Sequence, residues 1–242
     1  GGIDDGSTRE IALISKVNKP VCFIILGFQR DDRGNISAIL SRKAVQLGCR
    51  KNFIDHLVEG DIIDARVTHL EKFGAFIDIG AGINALIPID MLSVSRINHP
   101  RERVYEGECI KVVLRKREPE KLTFSLKELL GTWSENAMMF APGETVTGTV
   151  RSIETYGVFV ELTPNLAGLA EPCDYLFEGQ RVAVYIKSVL PDKMKIKLVI
   201  VEAFEEADMA QDLTYFVNAD HIDRFDYSPP GAPKVISTVF ES

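Results

Sequence analysis

Apolar and polar residues alternate in the same way along two stretches of this chain. Ile63, Ala65, Val67 and His69 share one parity in the first, and Val146, Gly148 and Val150 share it in the second. A period of two over such lengths predicts half-buried β-strands. The stretches are copies of each other. Gly60 to Phe76 (GDIIDARVTHLEKFGAF) and Gly143 to Phe159 (GETVTGTVRSIETYGVF) run in step at an offset of 83 residues, without a gap as far as about Pro88. Phe73 then corresponds to Tyr156, Gly74 to Gly157 and Phe76 to Phe159. A repeat of this period means two copies of one small unit. Gly74 and Gly157 lie inside strand patterns, where glycine marks a bulge or a close backbone approach. Gly80-Ala81-Gly82 and Thr163-Pro164-Asn165 then read as turns.

The back halves repeat at a different offset, 72, which equates Gly107 with Gly179, Pro119 with Pro191, Lys121 with Lys193 and Leu126 with Leu198. The first copy therefore holds 11 extra residues, around Ser93–Tyr105. Each copy reads as five strands in roughly 70 residues, the size of a small closed Greek-key barrel, the OB-fold. The N-terminal segment echoes only a back half: Val21–Phe28, a turn at Asp31-Asp32-Arg33-Gly34, then Ile36–Lys43, with a helical connector over 42–57. Two strands cannot close a barrel, and an isolated hairpin is marginal in water. A third, truncated or degenerate unit docked on its neighbour is the expectation. Leu126–Phe140 reads as a helical linker in which Trp133 packs between domains, and 202–213 reads as an acidic helix. Tyr215–Phe240 reads as a strand or hairpin capping the last barrel. The expected fold is all-β, with tandem five-stranded OB-fold barrels joined by short helical linkers. The expected divisions are a partial OB-like segment over 1–57, barrels over 58–130 and 142–203, a linker over 131–141, and an acidic extension over 204–242.

The net charge of −7 speaks at first against nucleic acid, but its distribution does not. Residues 1–58 carry +3, 59–130 carry −1, 142–204 carry −2, and the tail 205–242 carries −6. The barrels are near neutral, so a basic face on them must be local. Cys22, Cys49, Cys109 and Cys173 form no CxxC pair and fit a reducing cytoplasm. The four histidines lack H-x₃-H spacing, so neither metal nor cofactor is expected. No apolar run reaches membrane-spanning length, and no signal peptide is read ahead of the folded part. The chain starts on Gly rather than Met, which suggests a tag remnant or a fragment. No G-x-S-x-G elbow, phosphate-binding glycine loop or H-E-x-x-H motif is present, so an enzyme is not expected.

Phe73-Gly74-Ala75-Phe76-Ile77-Asp78 and Tyr156-Gly157-Val158-Phe159-Val160-Glu161 resemble the signature strand of the ribosomal protein S-one type RNA-binding domain. The opening glycines Gly60 and Gly143, the Ala85-Leu86-Ile87 and Gly168-Leu169-Ala170 segments and the closing Ser125-Leu126-Lys127 add to the likeness. With the Gly131-Thr132-Trp133 linker and the Tyr227-Ser228-Pro229-Pro230-Gly231 tail, the chain resembles the tandem S-one-domain proteins of Gram-positive bacteria. The resemblance covers 58–130 and 142–200, and 17–45 in part.

The resemblance implies non-catalytic binding of single-stranded, mRNA-like RNA with low sequence specificity, in the cytoplasm and linked to translation or the ribosome. Bases would stack on exposed aromatics while basic side chains hold phosphates. An aromatic in a barrel strand is more often core than platform. The repeat and the likeness together favour function for Phe73, Phe76, Tyr156 and Phe159. The basic candidates are Arg66, Lys72, Arg115, Arg117 and Lys121 in the first unit, with Lys116 beside them, and Arg151, Lys187 and Lys193 in the second, with Lys195 and Lys197. Lys121 and Lys193 match a basic position that the family uses for RNA. Phe73 and Phe76 are three apart, so a bulge at Gly74 is expected to bring both rings to one face. The sequence departs from the family at Pro88 and Glu171, where a histidine is usual, and at Arg117 and Val189, where an acidic residue is usual. Glu171, Asp174 and Glu178 crowd the second unit, so the first is expected to be the better site. The competing reading is a protein-interaction scaffold, whose barrels dock a ribosomal or nuclease partner, with the acidic tail covering a basic groove.

Overall fold

The computed structural model describes residues 20–119, 121–207 and 213–240. Two compact units divide the chain: Gly1–Leu57 with Ile79–Ile83, and Val58–Asp78 with Asn84–Ser242.

In the first unit, β1 (Ile24–Arg30) and β2 (Ile36–Ser41) form the expected antiparallel hairpin. Its turn is held by Asp31, whose carboxylate accepts from the backbone of Arg33 and Asn35 at 3.0 and 2.8 Å. Helix α1 (Arg42–Asn52) starts where the Ser41 hydroxyl accepts from Ala44 N, and a 3₁₀ turn over Ile54–His56 follows. Gln46 donates to the carbonyls of Ala81 and Gly82. Residues 1–19 of the expected partial unit lie outside the described residues.

The second unit holds two closed barrels. The first is built from β3 (Ile62–Glu71), β4 (Gly74–Asp78), β5 (Asn84–Pro88), β6 (Cys109–Arg117) and β7 (Leu122–Ser125). The second is built from β8 (Thr145–Glu154), β9 (Gly157–Thr163), β10 (Leu166–Ala170), β11 (Gln180–Leu190) and β12 (Lys195–Ala207). Both close in the same order, first–second–third–fifth–fourth strand, with only the third–fifth pair parallel. This is OB topology. Alternate residues fill each barrel: Val67, Ala75, Ile77, Ile87, Leu114 and Phe124 are buried in the first, and Val150, Val158, Val160, Ile186, Ile196 and Leu198 in the second.

Several expectations change. The bulge is not at Gly74. It lies on the partner strand, where β3 slips between Val67 and His69 and β8 slips between Val150 and Ser152. Gly74 marks a close approach instead, since a Cβ there would sit 2.3 Å from the Ile87 carbonyl oxygen. The bulge also explains why His69 is exposed despite sharing the parity of Ile63, Ala65 and Val67. Residues 202–207 are not helical: β12 continues through them, with Ala203 opposite Val182 and Glu202 opposite Ala183, so cross-strand pairing overrides the acidic helix-like composition. Of the remainder of that expected helix, 208–212 lie outside the described residues. The linker is not one helix but a 3₁₀ turn over Lys127–Leu129 followed by α2 (Trp133–Ala137). Gly131 separates them at φ 83°, where any Cβ would meet the Phe216 ring at 2.7 Å. Trp133 joins the core cluster of the second barrel. The equation of Leu126 with Leu198 also fails. Leu114 faces Phe124 and its counterpart Ile186 faces Leu198, so Leu198 stands where Phe124 does.

The extra residues of the first copy dock the second barrel. Ser95 N donates to the Pro164 carbonyl at 3.1 Å, and Val94 N to Asn165 Oδ1 at 3.0 Å. Asn165, fully buried, donates onward to the carbonyls of Lys127 and Gly131, both at 2.8 Å, while its own carbonyl accepts from the Tyr227 hydroxyl at 2.6 Å. Arg103, from the same segment, pairs with Glu161 in the wall of the second barrel, and Glu102 pairs with Arg151.

The tail does more than cap the last barrel. Its short ribbon β13 (Arg224–Asp226) and β14 (Ser237–Val239) adds Phe225 and Tyr227 to the second core. It also returns to the first barrel, where Phe240 packs with Val113 and Leu129, and Ile62 N donates to the Asp220 carbonyl at 2.8 Å. Among the described residues no helix is long and apolar enough to cross a membrane.

Candidate nucleic-acid interface

Strand register places one outward row across each barrel. In the first, His69 faces Phe76, Phe76 faces Leu86, Leu86 faces Thr123 and Thr123 faces Lys116. In the second, Ser152, Phe159, Leu169, Lys197 and Ser188 follow in the same way. None of these ten side chains is buried, whereas their strand neighbours Ala75, Ile77, Ile87, Val158, Val160 and Ala170 are. The alternation that fills the core thus turns an aromatic, a leucine and a lysine outward on each barrel.

The second aromatic of each pair comes from a turn. Phe73 and Tyr156 precede β4 and β9, so the two-residue alternation of a strand does not apply to them. Phe73 is 56% exposed and meets the half-buried Phe76 edge to face, with centroids 5.9 Å apart at 89°. Tyr156 is 64% exposed and meets Phe159 at 6.2 Å and 88°. Each pair offers one exposed ring braced by a partner ring, in a geometry that aromatic quadrupoles favour. Both pairs therefore reach a common outer surface, as expected, although by a turn rather than by a bulge at glycine.

The basic candidates separate. Lys72 is exposed in the turn beside Phe73, Arg66 is exposed on β3, and Arg117 and Lys121 are exposed at the β6–β7 hairpin. Lys193 is exposed in the matching hairpin turn of the second barrel. Arg115 and Lys187 occupy the bulge of the fourth strand in each barrel, adjoining the row. Lys187 is exposed, but Arg115 is drawn to the tail: it donates to the Val239 carbonyl at 3.3 Å and lies 5.6 Å from the Phe240 ring centroid. Arg151 does not belong with the surface cations. Its guanidinium grips both Glu161 oxygens at 2.9 Å and pairs with Glu102, and its side chain is only 9% exposed. The reason is the bulge at Arg151 itself, together with Glu161 on the adjoining strand β9, opposite Thr149.

Local carboxylates shape the field. His69 lies between Glu71 at 3.0 Å and Glu106 at 2.8 Å, and these hydrogen bonds hold its pKa above the ordinary histidine value. Lys116 pairs with Glu118 at 3.0 Å, which raises the lysine and lowers the glutamate. Lys197 and Lys187 carry no ion pair among the described residues. Sequence reading did not place His69, Leu86, Leu169 or the row position of Lys197, because register is set by bulges that no local pattern announces. Among the described residues no group of three or more His, Cys, Asp or Glu side chains is placed to hold a metal ion.

Comparison with known proteins fits this geometry. Residues 57–127 match the S1 RNA binding domain. The small ribosomal subunit protein bS1 of Staphylococcus epidermidis is 35% identical over 187 residues, covering 70% of this chain and 47% of the relative. The bS1 homolog of Bacillus subtilis is 33% identical over 202 residues, covering 76% of this chain and 52% of the relative. The chain thus spans about half the length of the curated relatives it matches. Residues 57–127 thus match the S1 RNA binding domain family, and they contain the five strands of the first closed barrel.

Proposed function

We propose that this protein is a non-catalytic, cytoplasmic, single-stranded RNA-binding protein of low sequence specificity, linked through mRNA to translation and the ribosome. The observation that carries this reading is the edge-to-face aromatic pair repeated at one register position in both barrels. Bases of any sequence stack on such rings, at roughly 1–3 kcal/mol each. Lys72, Arg66, Arg117, Lys121 and Lys116 serve phosphates around the first pair, and Lys187, Lys193 and Lys197 around the second. Arg115 and Arg151 serve the fold. The second barrel offers the less encumbered lysines, so both barrels take part rather than the first alone. The domain divisions that go with this reading are barrels over 58–130 and 142–203 joined through 131–141. The test is an RNA titration of the Phe73→Ala, Phe76→Ala double variant at low salt. Binding of oligouridylate weakens several-fold while the thermal melt is unchanged; equal affinity in variant and parent refutes the reading.

The scaffold reading has one observation in its favour: the acidic tail engages Arg115 and the opening of β3, so the first barrel already serves as a protein-docking surface. No measurable RNA binding by the full chain at low salt selects it.

A further inference from the structure

The fourth strand of each barrel is entered by the same turn, and each turn holds up an exposed aromatic. In the first barrel this is Tyr105, 62% exposed; in the second it is Phe177, 51% exposed. The two occupy equivalent positions, each two residues before the glycine that leads into the strand, Gly107 and Gly179. The hydrogen bonds repeat as well. Tyr105 N donates to Glu108 Oε2 at 2.9 Å and Glu108 N donates back to the Tyr105 carbonyl at 3.2 Å. Phe177 N donates to Gln180 Oε1 at 3.2 Å and Gln180 N donates back to the Phe177 carbonyl at 3.2 Å. Gly107 N then donates to the Val67 carbonyl and Gly179 N to the Val150 carbonyl, both at 2.8 Å.

These last two bonds locate the turn. Val67 and Val150 stand just before the bulge of the first strand, two residues before His69 and Ser152, which end the aromatic rows. The turn therefore sits across the first strand from Phe76 and Phe159. In the first barrel a side chain closes the distance: Glu106, next to Tyr105, reaches His69 Nδ1 at 2.8 Å, and His69 faces Phe76. Neighbouring residues are fixed, since Val104 is fully buried and Arg103 is held by Glu161. An aromatic held in water on a pinned turn, twice in one chain and at the same place, is not explained by the core of either barrel.

We propose that Tyr105 and Phe177 are a third stacking position in each barrel, extending the row of Phe76 and Phe159 past the first strand so that a further base of the same RNA strand is held there. This rests on the RNA-binding reading above. Stacking uses the ring face and not the hydroxyl, so phenylalanine serves as well as tyrosine at position 105.

The experiment is fluorescence anisotropy of a labelled oligouridylate on the full chain, comparing parent, Tyr105→Ala, Tyr105→Phe, Phe177→Ala and Phe73→Ala, with thermal melts as a control on folding. Tyr105→Ala and Phe177→Ala each weaken binding about fivefold or more, Tyr105→Phe retains parental affinity, and the melts stay together. If Phe73→Ala weakens binding while Tyr105→Ala and Phe177→Ala do not, the third position is overturned and the RNA-binding reading stands. If Tyr105→Phe weakens binding as much as Tyr105→Ala, the hydroxyl is the contact and stacking is overturned. If the parent itself does not bind at low salt, the underlying reading fails and this inference fails with it.

Discussion

The guanidinium of Arg103 is buried against the carboxylate of Glu161, and Arg151 holds both oxygens of the same carboxylate. Arg103 comes from the segment that only the first copy carries, so an insertion that looked like a loop joins the two barrels. Burial lowers the Arg103 pKa from its ordinary value, and the Glu161 charge opposes that shift. Glu161 is thus shared by two buried cations, with Glu102 as a second partner of Arg151, so deleting the carboxylate and deleting Arg103 are not equivalent.

Glu161→Ala leaves Arg103 and Arg151 facing each other without their shared anion, whereas Arg103→Ala leaves Glu161 still paired with Arg151. Stranding a buried charge costs about 3–5 kcal/mol. Urea unfolding therefore shows a loss of that order for Glu161→Ala and a distinctly smaller one for Arg103→Ala. Equal losses contradict the shared-carboxylate arrangement.

Gly74 is required by contact rather than by its dihedral angle. A methyl group there meets the Ile87 carbonyl oxygen at 2.3 Å, and the corresponding contact at Gly157 is 2.5 Å from the Ala170 carbonyl. The clash is with backbone, which cannot rotate away, so the strands must part. Gly74→Ala costs about 3 kcal/mol, the upper end of ordinary single substitutions. It also displaces Phe73, so its RNA affinity falls together with its melting temperature.

His221 clips the tail to the first barrel. Its ring nitrogens lie 2.7 Å from Asp61 and 3.2 Å from Asp223, and the Asp61 hydrogen bond is the chief cause of a pKa raised above the ordinary value. A raised folded-state pKa gives stability that is complete below the unfolded value of about 6.5 and is lost as pH rises through the folded value. The urea midpoint of the parent therefore falls across that window, and His221→Ala removes part of the fall. The part left in His221→Ala comes from His69, which is raised in the same direction by Glu71 and Glu106.

The repeat, the strand count, the N-terminal hairpin and the aromatic pairs were all legible, because alternation and a gapless offset are local signals. What was not legible depends on partners distant in sequence. Nothing near Thr68 announces that β3 slips there, yet that slip turns His69 outward. Nothing near Glu202 announces that it faces Ala183, yet that pairing keeps an acidic stretch in a strand. Arg151 looked like a surface cation because its anions, Glu102 and Glu161, lie 49 and 10 residues away. The exposure of Phe73 was inferable only because two copies shared it; one aromatic alone reads as core.

The contrast between Arg151 and Lys197 tests the assignment of cations directly. Lys197 is exposed in the row, two strands from Phe159, while Arg151 is enclosed by carboxylates. For single strands, each phosphate neutralised contributes about 0.7 to the slope of log affinity against log salt. Lys197→Ala therefore shallows that slope by about 0.7 and leaves the urea midpoint unchanged. Arg151→Ala does the reverse, with the salt slope retained and stability lost, because its charge is spent on Glu161 and Glu102 rather than on phosphate. Measuring both quantities on both variants separates the roles; a slope that shallows in Arg151→Ala returns that residue to the RNA surface.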